Sequence, residues 1–295
     1  MTPRVWLTAL CMIASVAATA QSASLRTELV RIAEASKGVT GIAVTQLETG
    51  DTLSVRGREH FPMQSVFKFP LALAILDLAD KGRLSLDKTV RVLPNDLVPT
   101  YSPLREAYPN GNVDITIAEL LRYSVSLSDN IACDLLFREL GGPDKLEKYL
   151  RKLGLTGISV KATEAQMATG WNVQYTNWCE PKTMNDLLVR FFTGKILSPA
   201  STERLRKWML DTPTGSARLK GRLPAGTPVV HKTGTSSTNE KGIAAATNDA
   251  GVITLPGGRH VAVTVFISDS SAGLKDREET IARVAQAVYQ HYTKN

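Results

Sequence analysis

Three short strings in this chain could share one pocket and carry out acyl transfer: Ser65-Val66-Phe67-Lys68, Ser128-Asp129-Asn130 and Lys232-Thr233-Gly234. A serine hydroxyl is a weak nucleophile near neutral pH and needs an adjacent base to take its proton. Lys68 follows Ser65 by three positions. If the apolar run from Phe67 to Leu78 is a helix, both side chains lie on one face and the amine reaches the hydroxyl. Pro70 suits the first turn of such a helix, where a missing backbone N–H costs nothing. The Ser65 N–H at that helix start favours negative charge, which fits half of an oxyanion hole.

Each string alone is weak. Ser85-Leu86-Asp87-Lys88 repeats the Ser-x-x-Lys spacing, yet it follows the helix-ending pair Lys81-Gly82 and reads as a turn. Ser-Asp-Asn by itself is ordinarily a cap or turn, and Lys-Thr-Gly a strand end. All three in this order point to an active-site serine acyltransferase.

The elements that must hold these strings fall into three blocks. Leu25 to Ser36 has amphipathic helical spacing, followed by alternating strands Thr40 to Leu47 and Thr52 to Gly57 around the turn Glu48-Thr49-Gly50-Asp51. Helical patterns then dominate: Leu71 to Ala79, Ile117 to Ser124, Asn130 to Leu140, Asp144 to Leu153, Pro181 to Thr193 and Ser201 to Leu210. Strand patterns return at Val229 to Thr235, Ile243 to Thr247, Gly251 to Leu255 and Val261 to Ser268, and a helix from Thr280 to Tyr292 closes the chain. Strands at both ends with helices between predict an α+β fold. A single antiparallel sheet is flanked by the first and last helices, and an all-helical lobe is inserted into it. The sheet lobe is expected over 24–64 and 213–295, the helical lobe over 65–212, and the catalytic cleft between them.

Composition bounds the setting. A chain of 295 residues with 43% hydrophobic content can build a real core in one large domain or two small ones. Residues 1–20 read as a signal peptide, with Arg4, an apolar stretch from Val5 to Ala17, and a cleavage site at Ala18-Thr19-Ala20. A membrane anchor, the competing reading, requires about 18 or more apolar residues. Export to the periplasm and a mature single catalytic domain, 21–295, are therefore expected, with Cys11 discarded and no membrane association after cleavage. Loss of Arg4 lowers the net charge from +7 to +6, without a basic run, and only 6% of residues are aromatic, so nucleic acid is not an expected partner. Cys133 and Cys179 could bridge in an oxidising compartment, although Cys133 sits in a helical pattern that favours a buried thiol. His60, His231, His260 and His291 are scattered and supply no zinc ligand set, and no cofactor is required. A monomer acting on a small molecule is the expected form.

The three motifs resemble the signature set of the class A serine β-lactamases, over nearly the whole mature chain. Phe61-Pro62-Met63-Gln64-Ser65 is similar to that family's entry into its nucleophile helix, Tyr101-Ser102-Pro103 to its cleft wall, and Leu223-Pro224-Ala225-Gly226 to its approach to the Lys-Thr-Gly strand. The resemblance implies an α+β fold with a five-stranded antiparallel sheet, and that Ser65 is the nucleophile and Lys68 takes its proton, directly or through water. Ser128 then protonates the departing lactam nitrogen, Lys232 supports Ser128 and the substrate carboxylate, and Asn130 holds the acylamino side chain. Thr235 N–H, just past Gly234, is expected as the second oxyanion donor beside Ser65 N–H, with Gly234 letting the strand approach the ligand. Arg218 is a candidate second anchor for the carboxylate with Thr233 and Thr235, the alternative being an exposed arginine. Tyr101 reads as an apolar cleft wall or as a surface tyrosine beside Pro103.

Hydrolysis needs a further group to activate water. Glu164 lies 36 positions beyond Ser128, in agreement with the family spacing, whereas Glu180 before Pro181 lies 52 beyond it. The chain departs from the common pattern at three places: Ala168 replaces the asparagine expected four residues after the glutamate, and Ala162 and Asn177 replace the loop's closing Arg–Asp pair. With Gln64 and the string Thr163 to Met167, these changes resemble the PER-type and VEB-type extended-spectrum branch and predict a loop path unlike the common one. Penicillins and cephalosporins, including bulky ones, are the implied substrates, with Thr235 and Ser236 adding hydroxyls at the strand edge. A D-alanyl-D-alanine peptidase or transpeptidase would share the three motifs but stall after acylation. A β-lactam sensor would normally add transmembrane helices, for which there is no second apolar span.

Overall fold

The computed structural model describes residues 23–294, so the expected signal peptide with Cys11 lies outside the described residues. Five antiparallel strands form the main sheet: β1 (Val39–Gln46), β2 (Thr52–Val55), β3 (Val229–Thr235), β4 (Ala244–Thr254) and β5 (His260–Ser270). Their order is β2-β1-β5-β4-β3, which leaves β3, the carrier of Lys232-Thr233-Gly234, on an edge. The fold is the expected α+β arrangement.

One face of the sheet is covered by the first helix, residues 23–33, and the last, Leu274–Lys294. Leu25, Leu29 and Ile32 pack with Ile281, Val284 and Val288 on Ile42, Val44, Val263 and Val265. Val252, Ala262 and Phe266 join the larger apolar core of the inserted helices on the opposite face. The helix that follows Ser65, Lys68–Asp80, runs through that core, and every residue from Lys68 to Leu76 is buried. It is apolar all round because protein surrounds it on all sides.

Several boundaries differ from the sequence expectation. Ile243 to Thr247 and Gly251 to Leu255 are parts of one strand, β4. The polar pair Asn248-Asp249 interrupts the apolar pattern, but both residues are fully buried and hydrogen-bonded within the sheet. Asn248 Nδ2 donates to the carbonyls of Pro62 (2.7 Å) and Met63 (3.1 Å), which fastens the approach to Ser65 onto the sheet. The last helix begins at Leu274 rather than Thr280. Its charged first turns hide the helical signal, since buried Arg277 spends its donors on Thr247 Oγ1 and the Ala272 carbonyl. Strand β2 stops at Val55, before Arg56 with its positive φ of 48°. Ser85 to Lys88 forms a turn, with Lys88 paired to Glu139 at 2.5 Å. Cys133 and Cys179 are buried free thiols, and burial pushes both thiol pKa values well up.

Candidate active site

Ser65 lies in a 3-10 turn, Gln64–Phe67, that leads directly into the helix Lys68–Asp80. Side chains three apart eclipse one another in that geometry, and Lys68 Nζ sits 2.7 Å from Ser65 Oγ. The same amine donates to Asn130 Oδ1 at 2.8 Å and to Glu164 Oε1. Its three N–H groups thus meet three acceptors from three elements, with the side chain fully buried. Glu164 Oε1 is also 3.5 Å from Ser65 Oγ.

Ser128 adopts a left-handed backbone (φ 58°) and accepts a hydrogen bond from Lys232 Nζ at 2.8 Å. Lys232 is completely buried, and its pKa is driven well below the usual lysine value, first by desolvation and then by the neighbouring charge of Lys68. Asp129 caps the helix Asn130–Leu140 through Ala132 N (2.8 Å) and holds Ser102 Oγ (2.8 Å) and Leu104 N (2.7 Å), so one buried carboxylate ties the cleft wall to the Ser-Asp-Asn turn. Tyr101, on that wall, is 57% exposed and lines the groove. Asn130 Nδ2 is bound to Thr100 Oγ1 at 2.8 Å.

Gly234 packs against the turn that carries Ser65. A Cβ at this position would stand 2.4 Å from the Met63 carbonyl oxygen and 3.2 Å from Ser65 N. Only glycine allows the edge strand so close. Ser236 N donates to Ala246 O, and alternation along an antiparallel strand therefore turns the Thr235 N–H outward to the open edge. Gly234→Ala is expected to lower the acylation rate about a hundredfold through a displacement of roughly 1 Å, read by stopped-flow with a chromogenic cephalosporin. An unchanged rate would show that this close approach is dispensable.

Arg218 is 4% exposed, so the exposed-arginine alternative is corrected. Its Nη2 donates to Thr235 Oγ1 (2.7 Å), Nη1 to the carbonyls of Gly234 (3.0 Å) and Asn248 (2.9 Å), and Nε to Glu278 (3.1 Å). Thr233 Oγ1 pairs with Thr214 Oγ1 at 2.8 Å. A groove of about 270 Å³ is lined by Ser65, Tyr101, Ser128, Asn130, Arg218 and Thr235 among others. An adjoining cavity of about 300 Å³ is bounded by Gln64, Glu164, Ala168, Gln174, Thr235 and Ser236. Glu180 stands apart, its carboxylate accepting from Thr183 Oγ1 at the start of another helix.

Glu164 opens a one-turn helix, Glu164–Met167, with Thr163 and Gln166 forming a capping box. Asp134 anchors that turn. Its carboxylate accepts from Glu164 N (2.8 Å) and Ala165 N (2.9 Å). Sequence reading missed Asp134, although its spacing of four from Asn130 puts both on one helix face. Where the closing ion pair is replaced, a neutral link remains: Asn177 Oδ1 accepts from Ala162 N (2.9 Å) and its Nδ2 donates to Ala162 O (2.8 Å).

Burial raises the Asp134 pKa to about 6, ahead of the opposing hydrogen bonds from Ala165 and Glu164, with Glu164's charge raising it and Lys68's lowering it. Once protonated, the carboxyl loses its charge and its hydroxyl oxygen becomes a much poorer acceptor, so one of the two N–H bonds weakens and the glutamate turn loosens. Deacylation is expected to fall severalfold as pH drops through about 6, and Asp134→Asn should remove that step from the pH profile of kcat. Stability moves the opposite way. A carboxyl titrating near 6 when folded and near 4 when unfolded binds its proton more tightly in the folded state. The unaltered enzyme should therefore gain stability relative to Asp134→Asn as pH falls from about 6 to about 4, read as the difference in urea midpoints. A constant difference would refute the assignment.

Residues 24–292 match the β-lactamase enzyme family. The chain belongs to that family. It is 45% identical over 276 residues to β-lactamase VEB-1 of Pseudomonas aeruginosa, covering 92% of each chain. Extended-spectrum β-lactamase PER-1 of the same organism is 44% identical over 280 residues, 93% of this chain and 89% of the relative. The crystal structure of TLA-1 extended-spectrum β-lactamase superposes with a TM-score of 0.90 at 47% identity, covering 92% of this chain and 99% of that one. A β-lactamase from Chitinophaga pinensis gives 0.89 at 47% identity, covering 91% and 99%. The enzyme is a class A serine β-lactamase of the branch that contains VEB-1 and PER-1.

Proposed function

We propose that the enzyme hydrolyses the lactam amide of penicillins and cephalosporins through a Ser65 ester, with oxyimino-cephalosporins among its substrates. The observation that carries this reading is the triple contact of Lys68 Nζ with Ser65, Asn130 and Glu164. Lys68 passes a proton to Glu164 and takes one from Ser65, and Ser65 Oγ attacks the lactam carbonyl carbon. The N–H groups of Ser65 and Thr235 receive the oxyanion. As the C–N bond breaks, Ser128 gives its hydroxyl proton to the nitrogen, with Lys232 at 2.8 Å to level the loss. Glu164 returns its proton to Lys68 and Lys68 gives one to Ser128, so the proton lost by Ser65 ends on the nitrogen and Glu164 is again a carboxylate free to act as a base. Glu164 then removes a proton from water, whose oxygen attacks the ester carbonyl, and that proton passes from Glu164 through Lys68 to Ser65 Oγ as it leaves. Asn130 holds the acylamino side chain, Tyr101 forms the wall, and Arg218 with Thr233 and Thr235 receives the carboxylate.

Bulky substituents extend into the second cavity, beside Ala168 where an asparagine would narrow it. Export fits the leader-like residues 1–20, and among the described residues no helix is long and apolar enough to cross a membrane. We further read 21–295 as one catalytic domain that acts as a periplasmic monomer. Multiple-turnover hydrolysis of a chromogenic cephalosporin tests the core proposal, since a peptidase would give one burst and stop. Comparison of kcat/KM on benzylpenicillin and an oxyimino-cephalosporin tests the breadth, and a strong penicillin preference would count against it.

A further inference from the structure

Beneath the carboxylate pole of the groove lies a buried pair with no part in the steps above. His231 Nδ1 is 2.8 Å from Asp249 Oδ1 and 2.9 Å from Oδ2, and both side chains are fully buried. A carboxylate only accepts, so Nδ1 carries the hydrogen. The other ring nitrogen, Nε2, is buried with no hydrogen-bond partner among the described residues. Leaving a polar atom bare in the interior is costly, which calls for a compensating role at the opposite edge of the ring.

That role points to Arg218. Asp249 Oδ2 also accepts the backbone N–H of Leu219 at 3.2 Å, so the same carboxylate that holds the histidine tethers the turn bearing Arg218. The turn closes on itself through Arg218 N and Gly215 O (2.9 Å), and Gly215 has a positive φ of 71°. A Cβ on Gly215 would meet Thr233 Cγ2 at 2.4 Å and lie 3.6 Å from His231 Cε1, so the histidine ring abuts the turn from below. Gly251, opposite on β4, makes room for that ring, since a Cβ there would stand 2.5 Å from His231 Cβ.

We propose that His231 and Asp249 are positioning residues that fix the Arg218 turn and thereby set the affinity of the groove for the substrate carboxylate. This rests on the reading of Arg218 as a carboxylate anchor. His231 orients the Asp249 carboxylate through Nδ1–H, and Asp249 holds Leu219 N. Arg218, one residue earlier, then projects its guanidinium to Thr235. Neither His231 nor Asp249 touches the reacting atoms, so their loss should spare the chemical steps.

The test uses the full enzyme with His231→Leu, His231→Asn and Asp249→Asn, each alone and combined with Arg218→Ala. His231→Leu and Asp249→Asn are expected to raise KM about tenfold for a cephalosporin, with the deacylation rate constant unchanged. His231→Asn, whose amide N–H replaces Nδ1–H, should restore KM to within about twofold. The effect should vanish in the Arg218→Ala background, because residues acting through one group are not additive. Native-state hydrogen exchange of the Leu219 amide supplies a readout free of substrate, with at least tenfold faster exchange expected in Asp249→Asn and His231→Leu. Unchanged Leu219 protection, or a KM effect that persists without Arg218, would overturn the positioning role. Faster Leu219 exchange with KM unmoved by Arg218→Ala itself would instead keep the tether and reject the anchor reading of Arg218.

Discussion

Ser65→Ala is expected to abolish turnover of a chromogenic cephalosporin, lowering kcat roughly 10⁵- to 10⁶-fold while the fold persists. In the proposed mechanism Oγ is the atom that forms the ester, and the neighbouring hydroxyls of Ser128, Thr233 and Thr235 already have partners. Ser128 Oγ is engaged by Lys232, and the hydroxyls of Thr233 and Thr235 are engaged by Thr214 and Arg218. The variant should still bind substrate, because the groove residues around it are unaltered. Its thermal midpoint should stay within a few degrees, since a part-buried hydroxyl contributes about 1 kcal/mol. Intact-mass spectrometry after incubation with substrate would show no adduct. Residual hydrolysis near the unaltered rate would end the serine mechanism outright.

Glu164→Gln should separate the two halves of the reaction. The amide keeps the size of the carboxylate and an oxygen to face Lys68, but it cannot take a proton from water. Acylation is expected to continue at a reduced rate, and deacylation to slow roughly 10²- to 10⁴-fold, the usual worth of general base catalysis. The acyl-enzyme should accumulate as a covalent adduct on Ser65, visible by mass after seconds of mixing and absent from Ser65→Ala. Full multiple-turnover activity in Glu164→Gln would reassign the water-activating role. The same variant distinguishes the enzyme from a penicillin-binding peptidase, in which no loop glutamate controls release.

Much of this site was legible in the chain itself. Ser65 and Lys68 are three apart, and that spacing has one geometrical meaning on a helical turn. Asn130 four residues before Asp134 carried the same kind of information and went unread, because an acidic residue on a helix is ordinarily solvated. A single antiparallel sheet with inserted helices followed from periodicity, but six strand patterns became five strands, with errors where polar residues were buried. Asn248-Asp249 broke the apolar alternation of β4, and Arg277 disguised the start of the last helix. In each case a buried polar side chain had found partners distant in sequence, which no local pattern can reveal.

Residue types and spacing alone marked out the candidate reacting groups and their order: a hydroxyl with an amine on the same helical face, a second hydroxyl, and a second lysine on a strand. Those are local facts, set by covalent spacing and backbone period. Tertiary structure decided which groups meet. It brought Glu164 rather than Glu180 to Lys68 and hid Arg218 under the edge strand. It also pressed Gly234 onto the Ser65 turn and buried His231 with Asp249 beneath the carboxylate pole. Packing and desolvation act among residues far apart in the chain, so they become visible only when the sheet and the helical lobe are brought together.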